Sequence, residues 1–483
     1  MHSRSYQNLK STITGRFETP RVELREHKGA PLVAYSGVVL ASKLIEKLMV
    51  AARIDDAVRV LQRHKPYWES DHVLTLVYNL LSGGETLSDI QRLRQDKGFA
   101  RLVNSDQVPD PTTVGDFLVR FDDSSLGRLR GTLEAVQDTA FGWLPRRRRE
   151  VATMDWDSSI HEVYGQKKQG ADFAYDHTWC YNVLYATLAE TGDVLYQDLR
   201  EGNTSSSVGT KEVLPATIRR LQQHFQAVRF RADSAFYDQE IVSICDEADV
   251  EFFIVAKQQA PLMQSILQIP EDAWKSLYRK HKQPRSGAAK RKKRPNLQRR
   301  ITVRRKPDSW FKARTQVASI DFQPPTWKSP YRFVITRTEV VDKDGAQLLL
   351  DDGLCKYAYQ VVVTNSGRSD SAVMRVAHAR GNQENLIKDF KYGLGLSHVP
   401  TGFLMANKAY FVIASLAWNL KTWMLNLICK LDGAVVRFKR FLYQWIYHAG
   451  LLVRTARNTI RLKMASGDYQ QRFAAALLRL AKL

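Results

Sequence analysis

Three carboxylates and three bases carry the chemistry this chain could perform. Asp157 closes the run Val151-Ala152-Thr153-Met154-Asp155-Trp156, and Asp233 closes Val228-Arg229-Phe230-Arg231-Ala232. Both runs have strand composition, and each acid precedes a Ser, where a strand gives way to a turn. Glu384 lies in Arg380-Gly381-Asn382-Gln383-Glu384-Asn385-Leu386-Ile387-Lys388-Asp389-Phe390-Lys391, which reads as a helix. At about 100° per residue, Arg380, Glu384, Lys388 and Lys391 share one face, with Leu386, Ile387, Phe390 and Leu394 on the adjoining stripe. Carboxylates at strand ends open onto a ligand crevice. Three brought together repel one another, which favours divalent cations between them, and oxygen-only ligands suit Mg²⁺ with Mn²⁺ as a substitute. Two such ions about 3.5–4 Å apart would clamp the attacking and leaving oxygens of an in-line phosphoryl displacement. Arg380, Lys388 and Lys391 would hold the phosphates. The same Glu384–Lys388 spacing also serves an ordinary solvated helix through i,i+4 pairing, and a strand-end Asp also serves an ordinary turn.

The elements needed to position these residues are legible. Trp179–Ala189 and Val194–Leu199 read as strands joined by the turn Glu190-Thr191-Gly192-Asp193. Val213–Phe225 and Gln239–Ala248 read as helices, and Glu251–Ala256, Tyr331–Thr336 and Tyr357–Thr364 as strands. This order predicts an α/β fold, a mixed sheet flanked by helices. Residues 37–145 are helical in pattern, and Asp110 with Pro111 forms a strong helix start. That region fits a helix-turn-helix reader of DNA or an ordinary bundle. Thr459–Lys463 reads as a strand and Arg472–Leu483 as a basic amphipathic helix. The most apolar stretch, Phe403–Ile428, is broken by Asn407, Lys408, Asn419, Lys421 and Asn426 and reads as a buried core helix rather than a membrane span.

Composition bounds the partner. Among 483 residues there are 72 Lys+Arg against 50 Asp+Glu, a net charge of +22. Such an excess calls for a polyanion. The densest run, residues 275–306, holds fifteen Lys or Arg and no acid. At its centre, Arg291, Lys292, Lys293 and Arg294 are candidate DNA contacts; the alternative is a solvated loop. Trp310 and Trp327 downstream are candidates for stacking on a flipped base or for core packing. Four scattered cysteines make no metal pattern and indicate no disulfide. The N-terminus lacks an apolar signal core.

At this level of detail the sequence resembles a family: the DDE insertion-sequence transposases with an RNase H-like catalytic domain, in the group marked by Y-x2-R-x3-E-x6-K. Arg380, Glu384 and Lys391 match the last three positions, while Ala377 stands where the tyrosine belongs. Asp155-Trp156-Asp157-Ser158-Ser159 resembles the first-acid motif, and Arg231-Ala232-Asp233-Ser234-Ala235-Phe236-Tyr237 the second. Arg200-Glu201-Gly202-Asn203 resembles the R-x-G-N segment, and Asn407 through Leu420 the closing helix. The resemblance implies Asp157, Asp233 and Glu384 as catalytic ligands of two Mg²⁺ ions. Asp155 stands on the same strand face as a supporting or alternative ligand.

The expected organisation is an N-terminal arm (1–36), a helical DNA-binding region (37–145), a first catalytic part (146–256), a β-rich basic insertion (257–345), a second catalytic part with the acidic helix (346–430) and a C-terminal region (431–483). The expected function is cut-and-paste transposition. The protein would bind the terminal inverted repeats of its element as a homodimer on double-stranded DNA, then cleave and join to target DNA. The expected setting is the bacterial cytoplasm, at the nucleoid, with no membrane partner. The rivals are a metal-dependent nuclease of the same fold without strand transfer and a catalytically silent DNA-binding protein.

Overall fold

The computed structural model describes residues 29–103, 108–174, 176–277, 315–339, 357–456 and 459–483. Arg291, Lys292, Lys293, Arg294 and Trp310 lie outside the described residues. The centre of the fold is a ten-stranded mixed sheet. Two strands are parallel neighbours at its middle: the first-acid strand Val151–Glu162 and the second-acid strand Ala227–Ala232. On the other side of the first-acid strand, Trp179–Leu188 pairs antiparallel and carries Val194–Glu201 beyond it. On the other side of the second-acid strand, Glu251–Val255 pairs parallel, followed by Tyr357–Thr364, Tyr331–Glu339 and Thr315–Phe322, all antiparallel. The expected mixed sheet flanked by helices is therefore the architecture observed.

Side-chain alternation explains how one sheet buries two cores. Along the first-acid strand, Ala152, Met154 and Trp156 enter the cluster covered by the helices Thr210–Gln222 and Gln239–Glu247. Asp155, Asp157 and His161 take the opposite face. There the acidic helix Gly381–Gly393 contributes Leu386, Ile387 and Phe390 to a second cluster, with Tyr181, Val183 and Tyr185 from the neighbouring strand. Phe253, Val334 and Val362 meet Val373, Met374 and Ala377 of the helix Asp370–His378 further along that face.

The closing helix Leu404–Trp423 is the largest apolar element. Together with the turn that continues it to Cys429 it is long and apolar enough to cross a membrane, yet 83% of that window is buried inside the fold. Asn419 explains its docking: its side-chain oxygen accepts from the Val194 amide at 2.8 Å and its amide donates to the Val194 carbonyl at 2.9 Å. Trp418 and Trp423 donate to the Gly192 carbonyl and to Asp193. Gly192 turns the hairpin at φ 84°, where a side chain would also meet the Ala434 backbone at 2.7 Å.

The N-terminal helices Val38–Lys47, Glu69–Leu81, Pro111–Val119 and Asp123–Gly142 pack on this same closing helix, and Val50–Ala57 packs on Glu69–Leu81 and Asp123–Gly142. Asp110 caps Pro111–Val119 by accepting from the amides of Thr112 and Thr113, each at 3.0 Å. Asp110→Ala is expected to cost about 1 kcal/mol, read as a lower midpoint in urea. Trp327 is buried against Tyr237, Tyr331 and Phe333 and serves as a core aromatic.

Candidate active site

Strand register brings the first two acids level. The parallel pairing of the acid strands ends at Trp156 opposite Ala232, so Asp157 and Asp233 are the next residue on each. Neighbouring strands run about 4.8 Å apart, and by alternation both side chains leave the same face. Asp157 is not a strand end, as its Ser-Ser sequel implied. The strand continues to Glu162 because Trp179–Leu188 pairs with it to Glu162 opposite Cys180. Asp157 instead marks where the strand loses its parallel partner. Asp233 does end its strand: its carboxylate accepts from the Ala235 amide at 2.9 Å and opens the short turn Ser234–Phe236.

The third acid arrives on a helix tied to the first-acid strand. The expected helix over Arg380–Lys391 begins at Gly381, and Arg380 occupies its N-terminal cap position. From that corner Arg380 donates to Asp157 at 3.0 Å and to the Trp156 carbonyl at 3.2 Å. Gln383 donates to the Asp155 carbonyl at 2.7 Å, and Lys391 to the Ile160 carbonyl at 2.7 Å. The helix thus lies along the first-acid strand, with Glu384 and Lys388 exposed beside it. Ala377, at the signature tyrosine's position, is buried in the small cluster with Phe253 and Met374, where a phenol ring would not fit without repacking.

Asp155 has a different occupation. It is buried and held by both prongs of Arg231, at 2.6 and 2.7 Å. The third guanidinium nitrogen donates to the Val376 carbonyl at 2.9 Å. One side chain therefore joins the first-acid strand, the second-acid strand and the helix that leads to Glu384. The sequence motif contains Arg231, but only register reveals that it faces Asp155. Gln383 was not singled out by sequence and carries no pattern that would have flagged it. The R-x-G-N segment is a loop brace: Arg200 donates to Asn182 and the Val208 carbonyl, and Asn203 donates to Asp172. That loop reaches the site through a Ser158–Ser206 hydroxyl contact at 2.8 Å.

Electrostatics set Asp157 apart. Burial pushes its carboxyl up to about 6; Arg380 opposes this, while the charges of Asp233 and Glu384 add to it. Asp157 thus senses the other two acids as like charges. Burial also raises Asp155, offset by Arg231. His161 is buried between Tyr185 and the Leu396 carbonyl and is held neutral, its pKa lowered to about 3 by burial and by Lys391. Among the described residues no three His, Cys, Asp or Glu side chains converge closely enough to hold a metal ion as the side chains stand.

Comparison with known proteins agrees with this chemistry at the level of family. No curated protein matches the chain. Among solved structures, a piggyBac transposase in a synaptic complex with hairpin DNA matches at 9% identity with a TM-score of 0.40, over 86% of this chain and 81% of that one. The family described as transposase DDE domain group 1 matches residues 16–483, and with nearly its whole length accounted for the chain belongs to that family.

Proposed function

We propose that the chain is the transposase of a bacterial insertion element, binding the element's terminal inverted repeats and moving it by cleavage and strand transfer. The observation that carries this reading is the parallel register that sets Asp157 and Asp233 level, with the Glu384 helix anchored along the Asp157 strand by Arg380. Asp157, Asp233 and Glu384 would hold two Mg²⁺ ions, with Mn²⁺ as a substitute. The donor set fits: it is carboxylate oxygen alone, and a cation between the acids offsets both the burial that chiefly raises Asp157 and the like charges of Asp233 and Glu384 that add to it. When bound, such ions make water or a 3′-hydroxyl a competent nucleophile and stabilise the departing oxygen.

The protein's own groups do the rest. Arg380 neutralises Asp157 and, freed from it, reaches a phosphate from the same corner. Lys388, exposed one turn beyond Glu384, offers a second phosphate contact. Arg231 and Gln383 hold the three acid-bearing elements in register. Residues 37–145 and Arg291–Arg294 would add DNA contacts, and two copies of the chain would hold the two ends. The setting is the cytoplasm, at the nucleoid.

A plasmid carrying the gene's own flanking DNA around a marker tests the reading. With purified protein and Mg²⁺, excised and joined products are expected, lost in EDTA. Cutting without joining would leave a nuclease of the same fold. Salt-sensitive binding with no cutting in Mg²⁺ or Mn²⁺ would overturn catalysis.

A pH prediction follows from Asp157. Its folded pKa lies above the unfolded value of 3.8, so in the metal-free protein its contribution to stability falls as pH rises from about 4 towards about 6. A divalent ion must displace that proton below pH 6. The half-saturating Mn²⁺ concentration, followed by electron paramagnetic resonance, is expected to rise roughly tenfold per pH unit below about 6 and to level off above 7.

A further inference from the structure

We propose that the segment Arg437–Gln444 and the outer face of the acidic helix form a phosphate-binding track that grips duplex DNA on one side of the cut. The inference rests on Glu384 being the acid at the reacting phosphate. The segment is bolted to the acidic helix. The Phe438 amide donates to Asp389 at 2.7 Å, and Arg437 donates to Asn385 at 3.1 Å. Phe438 also lies so close to Gly393 that an added side-chain carbon there would fall 2.9 Å from it. Buried Phe438, Phe441, Leu442, Trp445 and Ile446 hold the segment's inner side.

What remains outside is cationic and aromatic. Arg437, Lys439 and Arg440 are exposed, and Tyr443 is 75% exposed. On the acidic helix, Lys388 is exposed and Tyr392 is 53% exposed. At about 100° per residue, Lys388 lies roughly 40° around the helix from Glu384, Tyr392 roughly 80°, and Asn385, which meets Arg437, roughly 100°. The strip therefore runs continuously from the acid outward to the C-terminal cations.

Charge says what the strip is for. Residues 433–467 contain seven Lys or Arg and no Asp or Glu. Among the described residues, Lys388, Arg437, Lys439 and Arg440 make no ion pair, and the one carboxylate that Arg437 and Lys439 sense, Asp389, is partly buried and accepts from the Phe438 amide. Four unpaired cations repel one another, and a row of phosphates relieves that repulsion. Exposed tyrosine hydroxyls at the same edge add hydrogen bonds to phosphate oxygens.

The test is binding without chemistry. Full-length protein carrying Asp233→Asn is titrated onto a labelled terminal-repeat duplex across a salt series, by fluorescence anisotropy. Adding Arg437→Gln, Lys439→Gln and Arg440→Gln is expected to flatten the slope of log K against log[salt] by about 2.7 and to weaken binding on the order of 10²-fold at 0.1 M salt. A charge-matched control at exposed cations outside both the track and residues 37–145, Arg219→Gln, Lys257→Gln and Lys482→Gln, should change the slope much less. Equal effects would mean net charge alone, and an unchanged slope would mean no contact; either overturns the track. Should the triple variant fold poorly, Tyr443→p-benzoylphenylalanine in the otherwise unaltered protein provides a second reading. Light-induced cross-linking to the duplex supports the track, and its absence overturns it. If the parent binds no duplex at all, the transposase reading itself falls, an outcome distinct from failure of the track alone.

Discussion

Asp233→Asn is expected to lower cleavage and joining by at least roughly 10³-fold while leaving the melting temperature close to that of the natural protein. The two halves of this expectation have separate physical causes. In the fold, Asp233 caps the turn Ser234–Phe236 by accepting from the Ala235 amide. Asn accepts that bond equally well, being as good a cap residue as Asp. On the proposed two-metal reading, the substitution removes one of three anionic ligands, and a bound metal contributes several kcal/mol of transition-state charge stabilisation. About 4 kcal/mol corresponds to 10³ in rate. The same change has an electrostatic signature. Asp233 is one of the charges that lift Asp157, so in the metal-free variant Asp157 should titrate lower than about 6. Plasmid excision, calorimetric melting and carboxyl chemical shifts against pH read the three effects. Activity near that of the natural protein would remove Asp233 from the chemistry.

The second large effect is Arg231→Met. Arg231 and Asp155 form a buried pair, with side chains 5% and 2% exposed. Removing the cation leaves Asp155 uncompensated, at an expected cost of about 3–5 kcal/mol. Loss of the Val376 contact also releases the helix before Glu384, so metal affinity should fall beyond what stability explains. The pH dependence follows from the sign of the Asp155 shift. Burial already raises its pKa above the unfolded value, and the loss of Arg231 raises it further. A carboxyl held protonated in the folded state loses stability as pH rises from its unfolded towards its folded pKa. The deficit of the variant should therefore be larger at pH 8 than at pH 5. Asp155→Asn in the same chain should recover part of it. Urea midpoints at the two pH values decide the matter, and a pH-independent deficit would contradict a buried, unpaired Asp155.

The sequence revealed elements better than it revealed partners. The strands around both acids were legible because β-branched and aromatic residues alternate there and turn residues bound them. The closing helix could be told from a membrane span by its asparagines, and Asn419 proves to be the residue that seats it on Val194. The first-acid strand runs past the stop that Ser158-Ser159 suggests, because pairing with Trp179–Leu188 carries it on. The sequence places Arg380 inside the acidic helix while the structure has it at the cap, because nothing local distinguishes Arg380 as a cap from Arg380 in a first turn. The Arg231–Asp155 bond and the Gln383 bond arise from register between segments far apart in the chain. Periodicity within one segment holds no information about such pairs.

Val77, Leu81, Phe117 and Leu129 share one apolar cluster with Phe411 and Trp418 of the closing helix, about three hundred residues later in the chain. Genes that descend by exchanging cassettes need joints where few side chains cross. Here a foreign segment in place of residues 37–145 would have to match the closing helix knob for hole, with each mismatched large side chain forfeiting about 1.5–3 kcal/mol of burial. The fold therefore favours inheritance of the chain as a single block. On the proposed function, specificity for a new DNA end would then arise by substitution on the surface rather than by transplantation of a part.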